Sequence, residues 1–96
     1  MSDEDLRGLE QRLLDDPKAG GVVPGTYGLR KARVAVSGKG RRGGGRVLYR
    51  DFERFGQLFF LFFIRKGEQE DLDADQRRSV TRAVQAIEAE LEERFG

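Results

Sequence analysis

The sequence predicts an α+β fold in a single domain spanning residues 1 to 96: an N-terminal helix, a three-stranded antiparallel sheet and a long C-terminal helix. Three observations predict it. Leucines recur at helical spacing near the start, a closing stripe of Val, Ile and Leu does the same near the end, and alternating or unbroken apolar runs between glycine-rich turns fill the middle. A chain of 96 residues buries only a modest core, so one layered domain is the natural count.

The first helix is expected over about residues 3 to 15, with Ser2 as cap, Asp5 three residues on, and Leu6, Leu9 and Leu13 on one face. Pro17 stops it, and Gly20-Gly21 with Pro24-Gly25 marks a turn-rich loop. Residues 29 to 36 then alternate. Arg30, Ala32, Val34 and Val36 share the more apolar face, which is expected to pack inward, and Lys31 and Arg33 fall side by side on the open face. Residues 37 to 45, with five glycines and three cations, read as a mobile connection. In the next strand, residues 46 to 52, Val47 and Tyr49 suit an interior face. That sends Arg46 and Arg50 to the face of Lys31 and Arg33. The unbroken run Leu58-Phe-Phe-Leu-Phe-Phe-Ile64 predicts a central strand covered on both sides. Asp73 with Gln76 forms a capping box for the last helix, whose stripe is Val80, Val84, Ile87, Leu91 and Phe95.

Composition closes several functional classes. The chain has no cysteine and no histidine, which removes a disulfide framework, the usual zinc ligands and every histidine-dependent nucleophile or base. The start is acidic rather than basic, unlike a secretory signal, and the longest apolar run has seven residues, against roughly 20 for a membrane-spanning helix. A cytoplasmic protein with no membrane contact is expected.

The net charge of +1 hides an uneven distribution. Residues 1 to 16 hold six acids and two bases, residues 17 to 50 nine bases and no acid, and residues 51 to 96 eleven acids and seven bases. A locally unneutralised basic block attracts polyanions, because each cation on a phosphate releases a counterion. The competing reading is a block neutralised in space by the acidic helices.

Three motifs invite sharper readings. Gly38-Lys-Gly-Arg-Arg-Gly43 matches the dinucleotide pattern GxGxxG, but a strand follows it where a helix N-terminus is needed, so no nucleotide cofactor is expected and phosphate contact by its cations fits better. Asp71, Asp73 and Asp75 open like a calcium loop, yet Gln76 replaces the turn glycine and Arg82 the bidentate glutamate. No metal is expected, and the acids suit the positive end of a helix. Phenylalanines 59, 60, 62 and 63 could stack bases, but their continuity with Leu58, Leu61 and Ile64 reads as core. Tyr27 is the more plausible aromatic contact.

Taken together, Pro24-Gly-Thr-Tyr-Gly-Leu-Arg-Lys-Ala-Arg33, Gly38-Lys-Gly-Arg-Arg-Gly-Gly-Gly-Arg-Val-Leu-Tyr49 and Lys66-Gly-Glu-Gln-Glu-Asp-Leu72 resemble, in order and spacing, the HigB-like branch of the RelE/ParE superfamily of toxins. The likeness runs from about residue 3 to residue 85. It implies a RelE-like fold and a cytoplasmic, ribosome-dependent endoribonuclease that cleaves messenger RNA. Its partners would be the ribosome, the message and a cognate antitoxin, usually of helix-turn-helix type, that holds the toxin inactive. Carried over residue by residue, the resemblance assigns Lys31, Arg33, Arg46 and Lys66 to catalysis, the same open-face cations that strand alternation selects, with Arg65 adjoining. Two departures stand out. The tyrosine that RelE carries near its C-terminal region has no counterpart around Leu72, and the strand that family members place before the first helix is lacking. The second departure predicts an under-covered edge or face of the sheet, hence self-association.

RNA carries its own nucleophile, the 2′-hydroxyl, so the protein need only move protons and stabilise charge on the phosphate. A like charge nearby disfavours the charged form of a lysine, which makes Lys31 and Lys66 the candidates for proton transfer. Arg33 and Arg46 suit phosphate binding and transition-state stabilisation. Lys39, Arg41, Arg42, Arg50 and Arg65 would hold the RNA backbone. Two other functions are compatible with the resemblance: a ParE-like gyrase inhibitor that cleaves nothing, and an inactive RNA-binding relative. Inhibiting a protein target requires no row of aligned cations, which favours RNA.

Overall fold

A computed structural model describes residues 3–34, 44–65, 67–69 and 71–96. The order is α1 (Asp3–Asp15), β1 (Gly21–Val22), β2 (Arg30–Val34), β3 (Gly45–Phe52), a 3-10 turn (Glu53–Phe55), β4 (Gln57–Arg65) and α2 (Ala74–Phe95). The architecture is α+β as expected, with four strands in place of three because residues 21 and 22 form a short extra strand beside β2. The sheet is an antiparallel meander in the order β1-β2-β3-β4. No described helix is long and apolar enough to cross a membrane.

Each face of the sheet buries its own cluster. Leu9 and Leu13 of α1 pack with Ala32, Val34, Val47 and Tyr49, because helical spacing on α1 and alternation on β2 and β3 present those side chains to each other. On the other face, Val80, Val84 and Leu91 of α2 pack with Leu29, Leu48, Phe52 and Ile64. Tyr49 is fully buried, and its hydroxyl is satisfied twice. It donates to Pro17 O at 2.7 Å and accepts from Gly20 N at 3.0 Å, tying β3 to the end of α1.

α2 starts where the sequence places it: Asp73 accepts from Gln76 N at 2.8 Å, and the Gln76 side chain accepts from Asp73 N at 3.0 Å. Its buried stripe stops at Leu91. Phe95, expected to continue it, is 63% exposed, one turn past the point where the helix leaves the core.

β4 corrects another expectation. It is the edge of the sheet and not its centre. An apolar run reports coverage of both faces, and that much holds: Leu58 and Phe60 pack on the α1 side, and Phe59, Leu61, Phe62 and Ile64 on the α2 side. It carries no information about what lies alongside. Strict alternation also slips once, where the register with β3 shifts at Leu48/Tyr49 and Leu61 has no partner across the ladder.

Candidate nucleic-acid interface

Cross-strand neighbours share a face of the sheet. Lys31 lies opposite Leu48, Arg33 opposite Arg46, and Arg46 opposite Ile64. Since Ala32 and Val34 face α1, Lys31, Arg33 and Arg46 all occupy the α2 face, as strand alternation predicts. That face is not open along its length. Leu72 and the buried stripe of α2 as far as Leu91 cover it, and cations under or beside the helix meet acids of the helix and of the segment before it.

The neutralisation is selective. Lys31 Nζ sits 3.8 Å from Asp71 Oδ2, which Arg77 also approaches at 3.9 Å. Arg50 is locked more fully: its Nε donates to Tyr27 O at 2.9 Å, its NH2 lies 3.6 Å from Glu88, and its guanidinium stacks 4.6 Å from the Phe52 ring. Arg50 is thus a structural clamp between β3, the 24–28 loop and α2, not a free phosphate contact. Arg65, opposite Gly45 on the other face, pairs with Glu68 at 3.8 Å in a solvent-exposed bridge that contributes little. Arg33 is exposed and Arg46 half-buried, and neither has an acidic partner among the described residues. Lys39, Arg41, Arg42 and Lys66 lie outside the described residues, as do Ser2, Val36 and the GxGxxG string.

Asp71 and Arg77 are the residues that sequence reasoning missed here. Asp71 holds Lys31, and Arg77 braces Asp71 while donating to Pro24 O at 2.9 Å. The one signal in the sequence was Asp71 standing two residues before the helix cap, just past the last strand. The three aspartates weighed as a calcium loop have separate employments: Asp71 bridges cations, Asp73 caps α2, and Asp75 pairs with Arg78.

The loop carrying Tyr27 is firmly pinned. Val23 N donates to Leu29 O at 2.8 Å, and the buried Thr26 hydroxyl donates to Val23 O at 2.5 Å. Tyr27 adopts a left-handed φ of 59° and is 62% exposed. A non-glycine residue held there costs on the order of 1 kcal/mol or more, sustained by the bond from Arg50 to its carbonyl. No family model matches the chain.

Proposed function

We propose that this protein is a cytoplasmic, ribosome-dependent mRNA endoribonuclease of the toxin-antitoxin type, related to the HigB-like toxins it resembles and restrained by a cognate antitoxin. The observation that carries the reading is the pair Arg33 and Arg46, directly opposite each other on neighbouring strands and, among the described residues, without an acidic partner. Like charges so placed destabilise a sheet by a few tenths of a kcal/mol to about 1 kcal/mol. A bound phosphate removes that penalty and turns it into affinity.

In this reading a base takes the proton of the 2′-hydroxyl, whose oxygen attacks the adjacent phosphorus. The 5′-oxygen of the next nucleotide leaves with a proton, and the upstream fragment ends in a 2′,3′-cyclic phosphate. Arg33 and Arg46 hold the non-bridging oxygens as negative charge builds on them. Lys31 is engaged with Asp71 at rest, so Lys66 is the first candidate for proton transfer and Lys31 the second. The reading assigns Lys39, Arg41 and Arg42 to contacts with the RNA backbone.

Incubation with ribosomes programmed with a defined message tests the reading. Cut message with cyclic-phosphate ends supports it. Intact message together with blocked gyrase supports the ParE-like alternative, and protected but uncut RNA supports a binding module.

A further inference from the structure

We propose that the outer edge of β4 is the seam of a two-fold homodimer, in which β4 of one copy pairs antiparallel with β4 of another to give a continuous eight-stranded sheet. The inference is independent of the nuclease reading.

β4 is nine residues long and lies at the end of the sheet. In an antiparallel ladder alternate residues direct their N–H and C=O groups away from the paired neighbour, and among the described residues no strand takes those of β4. Proteins blunt such an edge by keeping it short or by placing charge along it. The opposite edge fits that rule, since β1 has two residues. β4 does not: from Leu58 to Ile64 it carries no charge and no proline. Leu58, Phe59, Phe60, Leu61 and Phe62 remain only half-buried, and Phe63 is 38% exposed. A neighbouring strand would cover them on both faces at once.

Two features select a second copy of this chain as that neighbour. The strand is apolar throughout its middle and polar at each end, Gln57 and Arg65. Because the register shift at Leu48/Tyr49 exchanges faces along β4, a two-fold axis between Leu61 and Phe62 keeps each cross-strand pair on one face: it sets Phe59 against the other copy's Ile64, Phe60 against its Phe63 and Leu58 against its Arg65. Charge agrees with the same orientation. Beyond the Gln57 end lies a shallow cleft whose walls hold four carboxylates, Asp51, Glu53, Glu88 and Glu92, against two guanidiniums, Arg50 and Arg54; Arg50 pairs with Glu88, Arg54 with Glu92 and the nearby Lys18 with Glu53, which leaves this end net negative through Asp51. The Arg65 end lies beside Arg46 and Arg33. Antiparallel pairing brings the acidic end of each copy to the basic end of the other, twice; parallel pairing would set like against like. A closed two-fold contact of this kind is self-limiting.

Sedimentation of the full chain across a wide concentration range, with single-cysteine variants to read the register, tests the seam. The natural sequence has no cysteine, so a mixture of Leu58→Cys and Arg65→Cys should give a mixed disulfide dimer in preference to either homodimer. Phe63→Lys, at an already exposed position, should shift the dimer to monomer with an unchanged circular dichroism spectrum. If that variant does not fold, the cysteine mixture decides alone. A monomer at every concentration, open-ended assembly without a dimer plateau, or a dimer that forms no 58–65 cross-link would overturn the proposal.

Discussion

Arg33 and Arg50 stand on adjoining strands of the same sheet, both basic and both selected by alternation, yet they do different work. Arg50 reaches Tyr27 O and Glu88 and stacks on Phe52, whereas Arg33 meets another arginine. Alternation gave the face of each residue but could not give its partners, because Asp71 and Glu88 arrive from a helix and linker far along the chain. Asp71 neutralises Lys31 in an ion pair, which under the proposed function would have to open for Lys31 to meet RNA. Asp71→Asn should release Lys31 and raise RNA affinity by up to about fivefold, since a partly exposed pair contributes at most about 1 kcal/mol. Titration of a short RNA at fixed salt checks this, and weaker binding would place Asp71 in the interface itself. Tyr49 illustrates the opposite case, a residue whose burial was legible but whose hydroxyl partners were not. Tyr49→Phe leaves Gly20 N–H and Pro17 C=O without their bond, and urea unfolding should register a loss of about 1–3 kcal/mol.

At the scale of elements, both helices were readable to within a residue or two, because leucine spacing, Pro17 and the Asp73 capping box are local signals. β4 was readable as a strand and misplaced within the sheet, since nothing in a run of Leu and Phe distinguishes a centre from an edge. Gly45 belongs by composition to a flexible connection, but its role in the sheet is steric. A Cβ at that position would lie 2.0 Å from Ile64 O, so β3 and β4 can approach only with glycine there. Gly45→Ala should cost about 1–3 kcal/mol, as overpacking commonly does, and should be visible as a lowered thermal midpoint. The 37–45 connection makes a prediction of a different kind. If Lys39, Arg41 and Arg42 bind phosphates, replacing all three with glutamine should flatten the dependence of log K on log salt by about one unit for each phosphate released. An unchanged slope would remove this segment from the interface.

Across the whole molecule, the basic block of residues 17 to 50 is partly neutralised in space, as the second of its two readings expected, and the attraction of polyanions is left to the members that meet no acid. Lys18 pairs with Glu53, Lys31 with Asp71 and Arg50 with Glu88, so the acids of the C-terminal half do reach it. Among the described residues no acid pairs with Arg33 or Arg46, which lie at the end of the sheet beyond the acids that meet Lys31 and Arg50. A structural arginine and a functional one differ in what their removal does. Arg46→Gln should leave stability unchanged or raise it by up to about 1 kcal/mol by relieving repulsion from Arg33. If Arg46 stabilises the phosphorane, its loss should slow cleavage by about 10² to 10³. Lys66→Arg separates charge from proton transfer: it should lower the rate and alter its pH profile, and an unaltered profile would move that role to Lys31.

The most direct test is single-turnover cleavage of a defined message on programmed ribosomes, by the natural chain and by Arg46→Gln, with unfolding measured on the same two samples. Discrete cuts by the natural chain, slowed about 10² to 10³ in a variant of equal or greater stability, are the expected result. An intact message with the natural, folded protein, or an equal rate in the variant, would contradict it.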